Sequence, residues 1–559
     1  MIRNIAFVSA MTTALVLVGC GDKNASQVEL QAVDTVITNA NGYTPTADGL
    51  VTFSTMVIDD GRIVAIGAPT VTERYAADLV IDLDGATVLP GLIDAHGHVS
   101  SLGRLRKTLD LAGITSLDAT LGRIASYDSS LSDGQQWLLG RGWNQVLWTE
   151  KRFPTAADLD AIVPDRPILL NRVDGHAAWA NSSALALAGI DKNTPDPAGG
   201  KILRDDAGDA TGVLIDNAMS LVFNVIPPES REDTRNYIDV ALDELASLGI
   251  TSVHDAGSTT TEIALYKELA DEGDMAIRVS AMLSGAKTLA EFDAPIEGYA
   301  DDMFEVTSVK FYADGALGSR GAAMIEPYSD DHSNHGLLFA TADEIASDVG
   351  DAHDKGFAAN IHAIGDAANQ AVLDAFETTN GGSSQFNDRV EHAQIITLED
   401  IERYARLGII ASVQPTHATS DKNMAEDRIG SERIKGAYAW RRLLDAGVRL
   451  AGGSDFPVEK PDMFDGLFAA VTRQSKDGAP PDGWYPDQAL TREETLALFS
   501  LWAADSVGQA DQIGSLETGK WADFIVIDRD YFEIPASDIW KIQVQQTWVA
   551  GDPAFTRAE

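Results

Sequence analysis

The 559-residue sequence predicts an α/β protein: a (β/α)8 TIM barrel with an inserted region, plus a small β-sandwich built from both ends of the mature chain. Three observations carry this. Residues 90–512 alternate short apolar strands with helical stretches, such as the Ala- and Leu-rich 238–248 before GITSVHDAG and 342–354 before GFAANIHAIG. Such alternation argues for a parallel sheet, and its repetition for closure into a barrel. Both ends are β-rich. His, Lys and Asp residues recur where an apolar segment meets a turn signal, the place where a barrel strand delivers functional side chains.

Residues 1–19 read as a leader. Arg3 precedes an apolar stretch from Ile5 to Val18, shorter than the ~20 residues a membrane-spanning helix needs. Residues 20–32 are polar and aperiodic, and read as a tether. From 33 to 89 come DTVITNA, FSTMVIDDGRIVAIG and DLVIDLDG, with Asp59-Asp60-Gly61 as a hairpin cue. Residues 513–559 repeat the style in ADFIVIDRD and IQVQQTWVAGD. Neither end can bury a face alone, so the two are expected to form one sandwich. The span 90–512 exceeds the ~250 residues typical of such barrels, which requires insertions. The expected insertion is about 131–230, rich in Pro, Asp and Gly. Its tryptophans Trp137, Trp143, Trp148 and Trp179 either form a core or roof the active site.

Composition excludes some functions. With 85 Asp+Glu against 42 Lys+Arg, the formal net charge is -43, which repels nucleic acid and anionic lipid. Hydrophobic residues at 45% mark a globular chain, and the excess acid reads as a solvated surface. The single cysteine, Cys20, leaves no disulfide and no thiolate metal ligand elsewhere.

The chemistry-bearing residues begin with VLPGLIDAHGH, where His96 and His98 lie two apart and leave the same face of a strand. Lys310 in TSVKFYADGALGSRGAA, His362 in NIHAIGDAAN, His392 in DRVEHAQI and Asp455 in GGSDFPVE follow at further strand ends. Together with GRGWNQ, RVDGHAAWANSSAL, GITSVHDAG and SVQPTHATSD, these strings resemble the amidohydrolase superfamily, in the branch that includes N-substituted formamide deformylases. The resemblance runs from about Asp34 to about Gly551. The chain departs from many relatives in having Asn144 for Asp, and His335 falls in a loop that varies among them; both bear on substrate choice.

The resemblance implies a metal-dependent hydrolase that cleaves a non-peptide carbon–nitrogen bond of a small-molecule amide, an N-substituted formamide among them. It implies two divalent ions, zinc by default. His96, His98, Lys310 and Asp455 would hold one ion, and Lys310, His362 and His392 the other. Lys310 would bridge them as a carbamate, because an ammonium has no electron pair to donate. A single ion beside an unmodified Lys310 stays open. Asp455 is expected to carry the proton from water to the leaving amine, and Asp94 to orient a ligand. Arg172, His176, His254 and His417 are candidate substrate contacts. For Arg172 and His176 the alternative is loop structure, and for His254 a packed, hydrogen-bonded pair with Asp255.

Other reactions on the same barrel remain open: cyclic amide opening, dipeptide cleavage, deamination and ester hydrolysis. No Glu follows His362, which disfavours deamination. A non-catalytic, surface-anchored metal or ligand binder is the rival from another class. Finally, LVGC resembles a bacterial lipobox, which implies cleavage before Cys20 and its lipidation. Export and anchoring in the cell envelope, facing the periplasm or cell surface from the outer membrane, are then expected. The oligomeric state is unreadable.

Overall fold

A computed structural model describes residues 30–131, 137–173, 175–197 and 199–558. The expected leader, Cys20 and most of the tether lie outside them. The tether ends earlier than 32, because a strand already starts at Gln31.

Eight parallel strands form the central sheet: β1 (Leu92–Gly97), β2 (Ile250–Ser258), β3 (Arg278–Ser284), β4 (Phe304–Tyr312), β5 (Ala358–Ala363), β6 (Arg389–His392), β7 (Ile410–Val413) and β8 (Leu450–Gly452). The path closes just beyond β8. A parallel bridge joins Gly97 to Phe456, and the Asp455 amide donates to the His96 carbonyl at 2.7 Å. The fold is therefore the TIM barrel that the alternation predicts. Closure demands a close approach at Gly453, where a Cβ would lie 2.6 Å from the His96 nitrogen and 2.9 Å from an Asp94 carboxylate oxygen. Asp94 itself bonds the His96 amide at 3.1 Å and the Ser454 amide and hydroxyl at 2.9 and 2.6 Å. Helices pack outside in the expected order, many begun by a Ser or Thr capping box, as at Thr259 and Thr341.

Strands from both ends share one six-stranded sheet, in which Thr87–Pro90 pairs with Phe524–Ile527 on one side and with Asn41–Thr46 on the other. A four-stranded sheet from residues 31–82 packs on it through Ile37, Met56, Val88, Phe524 and Trp548. The hairpin at Asp60-Gly61 forms, with both residues at positive φ (49° and 71°). This sandwich is tied to the barrel's lower end by a buried fork from Arg278 to Asp523, at 2.7 and 3.0 Å.

The insertion between β1 and β2 differs from the expected 131–230. It forms a six-stranded sheet that begins at Leu109 and runs to Asp216. Leu109, Leu111, Leu117 and Ile124 lie in its core, so the boundary falls where these apolar residues start, ahead of the Pro- and Gly-rich segment. Trp143, Trp148 and Trp179 are fully buried and pack on one another in tilted and edge-to-face contacts, at 6.1–6.2 Å between ring centres. They form the core of the insert and do not roof the active site. Among the described residues, no helix is long and apolar enough to cross a membrane.

Candidate metal centre

The C-terminal ends of six strands, β1 and β4–β8, converge on a cleft of about 410 Å³ whose lining includes His96, His98, Lys310, His362, His392, His417 and Asp455. His96 sits on β1, while His98 has left the strand and caps the helix Val99–Lys107. The same alternation puts Lys310 and Tyr312 on one face of β4, Lys310 buried and Tyr312 half exposed. His392 and Asp455 both adopt positive φ, 74° and 61°. Such conformations cost on the order of 1–3 kcal/mol and persist where the surroundings enforce them; here each turns a strand end sharply toward the cleft.

The distances are short. Asp455 Oδ1 lies 3.2 Å from His98 Nε2 and 3.7 Å from His96 Nε2, and Oδ2 lies 3.6 Å from His417 Nε2. Lys310 Nζ is 3.2 Å from His96 Nε2. The rings of His362 and His392 are 4.4 Å apart, and those of His96 and His392 4.8 Å. His96, His98 and Asp455 form one group whose ligand atoms lie within 4.8 Å of one another, and His392, His417 and Asp455 form a second. Nε2 of both His362 and His417 is buried without a hydrogen-bond partner. A buried nitrogen without a partner is costly, and a divalent cation would satisfy it with the lone pair that nothing else uses. The donor set of imidazole and carboxylate therefore fits a zinc-type ion.

Burial keeps His96, His362 and His392 neutral, the form that binds a metal. Burial, reinforced by Lys310, pushes His96 down to about 4 and His362 down to about 3. Burial also pushes Lys310 down to about 8, against the pull of Glu391 and Asp455. For Asp455 burial acts upward, but the His98 hydrogen bond and the neighbouring rings hold it well below the usual carboxylate range.

The residues that fix the cluster were not legible as site residues. His96 Nδ1 faces Glu391 Oε2 at 2.5 Å, and since a carboxylate only accepts, Nδ1 carries the proton and the Nε2 lone pair faces the cleft. Glu391 is forked by the fully buried Arg389, at 2.8 Å from Nε and 2.7 Å from Nη2. His392 Nδ1 faces Gln414 Oε1 at 2.8 Å. The only signal in the sequence is adjacency: Glu391 precedes His392, and Gln414 opens QPTH.

Four candidate substrate contacts fare differently. His417 lines the cleft and adjoins Asp455, closer to the ligand set than a substrate contact need be. His254 is a correction. It lies in the middle of β2, fully buried, with Nδ1 accepting from Arg389 Nη1 at 3.0 Å, because the strand continues to Ser258 beyond the apolar run. Asp255 accepts from the Val99 amide at the start of the helix that follows β1. Arg172 and His176 are also corrected: among the described residues the cleft is lined by neither. Arg172 bonds Gln145 and Asn144, and His176 pairs with Asp216, all within the insert. Asp94 reaches His96 through its backbone amide and not its ring.

Residues 79–555 match the model of the amidohydrolase family. The chain is 32% identical over 509 residues to a putative amidohydrolase, YtcJ, of Bacillus subtilis, covering 90% of this chain and 96% of that protein. It is 30% identical over 545 residues to the N-substituted formamide deformylase of Arthrobacter pascens, covering 94% and 99%. An uncharacterized metal-dependent hydrolase from Pyrococcus furiosus superposes with a TM-score of 0.76 at 29% identity, covering 89% of this chain and all of that one.

Proposed function

The chain belongs to the amidohydrolase family, and from that premise we propose that it hydrolyses a non-peptide carbon–nitrogen bond in a small amide, N-substituted formamides included. The observation that carries this is the convergence of six donor side chains on one cleft, with the buried Nε2 of His362 lacking a hydrogen-bond partner among the described residues and lying 3.6 Å from Asp314 Oδ1. His96, His98 and Asp455 would hold one ion, and His362 and His392 a second. Lys310, as a carbamate, would bridge them; its buried Nζ has no carboxylate within ion-pairing distance among the described residues. When bound, divalent cations would supply Lewis acidity, acidifying a water and polarising the substrate carbonyl.

The chain's own residues do the rest. Glu391 holds the His96 ring in one tautomer, and Gln414 orients His392. Asp455, ionised at neutral pH, accepts a proton from the attacking water at Oδ2 and returns it to the departing nitrogen. Tyr312, Leu317, Ile364 and Val458 wall the cleft. The amino-terminal sequence supports export and anchoring through Cys20, and Cys20→Ser should release the protein from the membrane fraction.

The test combines metal analysis with a panel of formamides, acylated amines, cyclic imides and esters. Chelation should abolish turnover and re-added zinc restore it, while native mass spectrometry should find the mass of one carbon dioxide on Lys310. Asp455→Asn should lose roughly 10²- to 10⁴-fold in turnover. Metal-free enzyme at full activity, or a fully active Asp455→Asn, overturns the reading.

A further inference from the structure

A buried polar atom without a hydrogen-bond partner marks the metal centre, and the same mark recurs at the opposite end of the barrel. A separate cavity of about 370 Å³ opens there beside the N-terminal ends of β4, β5 and β6, and its lining includes Glu305, Ser308, Ala358, Asn360 and Phe386. TIM-barrel interiors are dominated by branched apolar side chains. Below the metal centre this one is polar: Ser252, Ser280, Glu305, Ser308 and Asn360 are each no more than 4% exposed. A bulge in β4 helps to gather them. The pairing with β3 skips Thr307, which turns Glu305 and Ser308 to one face although they lie three residues apart.

The hydrogen bonds of this layer do not close. Asn360 Nδ2 donates to Ser308 Oγ at 2.9 Å, but Asn360 Oδ1 has no hydrogen-bond partner among the described residues, and neither has Glu305 Oε1. Both atoms are acceptors shut off from solvent, on side chains that line the cavity. No basic side chain serves them. The lining holds no Lys, Arg or His, and the charges that act on Glu305 most strongly, Asp302 and Glu297, have its own sign. Arg389, the buried cation nearer the metal centre, is committed to Glu391, His254, Ser506 and the Ala95 carbonyl.

We propose that this cavity binds a monovalent metal cation, sodium or potassium, through Glu305 Oε1 and Asn360 Oδ1. The charge arithmetic selects the valence. One positive charge neutralises the one buried carboxylate, whereas a divalent ion would leave an unpaired charge inside the barrel, which is costly. Asp302 does not supply the second negative charge, since it accepts from Trp521 Nε1 at 2.8 Å and faces Arg62 at 3.8 Å. The ligand type excludes zinc as the preferred ion: carboxylate and amide oxygens without imidazole suit hard cations, the reverse of the nitrogen-rich centre at the other end. A net charge of -43 concentrates such cations around the chain. The ion acts as the counter-charge of Glu305, whose carboxyl burial otherwise pushes up to about 7. This site stands independently of the hydrolase reading.

The test uses the zinc-loaded protein at about pH 8, where a carboxyl of that pKa is ionised. Crystals grown in rubidium chloride, whose cation has potassium's charge and scatters anomalously, should show a peak in contact with Glu305 Oε1 and Asn360 Oδ1. In solution, sodium or potassium chloride should raise the melting temperature above that in N-methylglucamine chloride of equal ionic strength. The rise should saturate, at roughly 1–3 °C once the ion exceeds its dissociation constant ten- to a hundredfold. Glu305→Gln keeps the shape, removes the charge and should abolish both the peak and the rise. A rubidium peak that Glu305→Gln removes sustains the proposal whatever the size of the melting shift. Density at the site without an anomalous signal marks a water pocket and overturns it. A salt-specific rise that survives in Glu305→Gln places the ion elsewhere and also overturns it. Displacement of rubidium by calcium at a hundredth of its concentration overturns the monovalent assignment.

Discussion

Glu391→Gln separates the role of the buried layer beneath the centre from that of the ligands themselves. In the wild type, Glu391 accepts the His96 Nδ1 proton through Oε2 and the Arg389 fork through Oε1. A glutamine has the same shape but one acceptor and one donor. Arg389, fully buried, claims the acceptor, so the amide NH2 faces His96 Nδ1. Two donors then oppose each other unless His96 moves its proton to Nε2, and that nitrogen can no longer bind a cation. Loss of such a supporting partner lowers metal affinity about 10- to 100-fold, or about 1.4–2.7 kcal/mol. Half-neutralising the buried Arg389 pair adds a folding penalty of about 3 kcal/mol or more. Zinc affinity from chelator competition and stability from denaturant melts of the metal-free protein read the two effects separately. Unchanged zinc affinity in a folded Glu391→Gln would refute the tautomer argument, whatever happens to stability.

Other consequences are checked more simply. Gly453→Ala should destabilise the protein by about 1–3 kcal/mol, because its Cβ would meet backbone at His96; an unchanged melting temperature would contradict the close approach. Asp523→Asn strands the buried Arg278 and should cost about 3–5 kcal/mol in denaturant unfolding. Glu305, at the opposite end of β4 from Lys310, is buried with Oε1 lacking a partner, and burial pushes its carboxyl up to about 7 from 4.5. The folded state thus holds this proton longer than the unfolded state. The wild type has the full benefit below pH 4.5 and loses about 3 kcal/mol of it as pH rises to 7. Glu305→Gln should flatten that fall, and equal pH slopes in the two proteins would rule it out.

How far the sequence speaks depends on how local each role is. His96, His98, Lys310, His362, His392 and Asp455 were legible because strand ends are marked locally by an apolar run and a turn. Glu391, Arg389 and Gln414 were not, since their partners come from strands tens to hundreds of residues away and only barrel closure brings them together. His254 misled because β2 runs four residues beyond it, which turns a supposed rim residue into the interior. Arg172 and His176 misled because the insert has its own sheet and core and satisfies their polar groups itself. The β-rich ends were legible as incomplete modules, because an amphipathic strand without a partner layer advertises the missing half.

That two-ended sandwich sets a timetable. Thr87–Pro90 leaves the ribosome hundreds of residues before its neighbour Phe524–Ile527, and at ~5–20 residues per second the wait lasts on the order of tens of seconds. Throughout that delay one flank of Thr87–Pro90 remains open to any other nascent strand. Trimming the carboxyl terminus would make the exposure permanent, so aggregation during synthesis, more than loss of catalysis, is the penalty to look for in shortened forms of this chain.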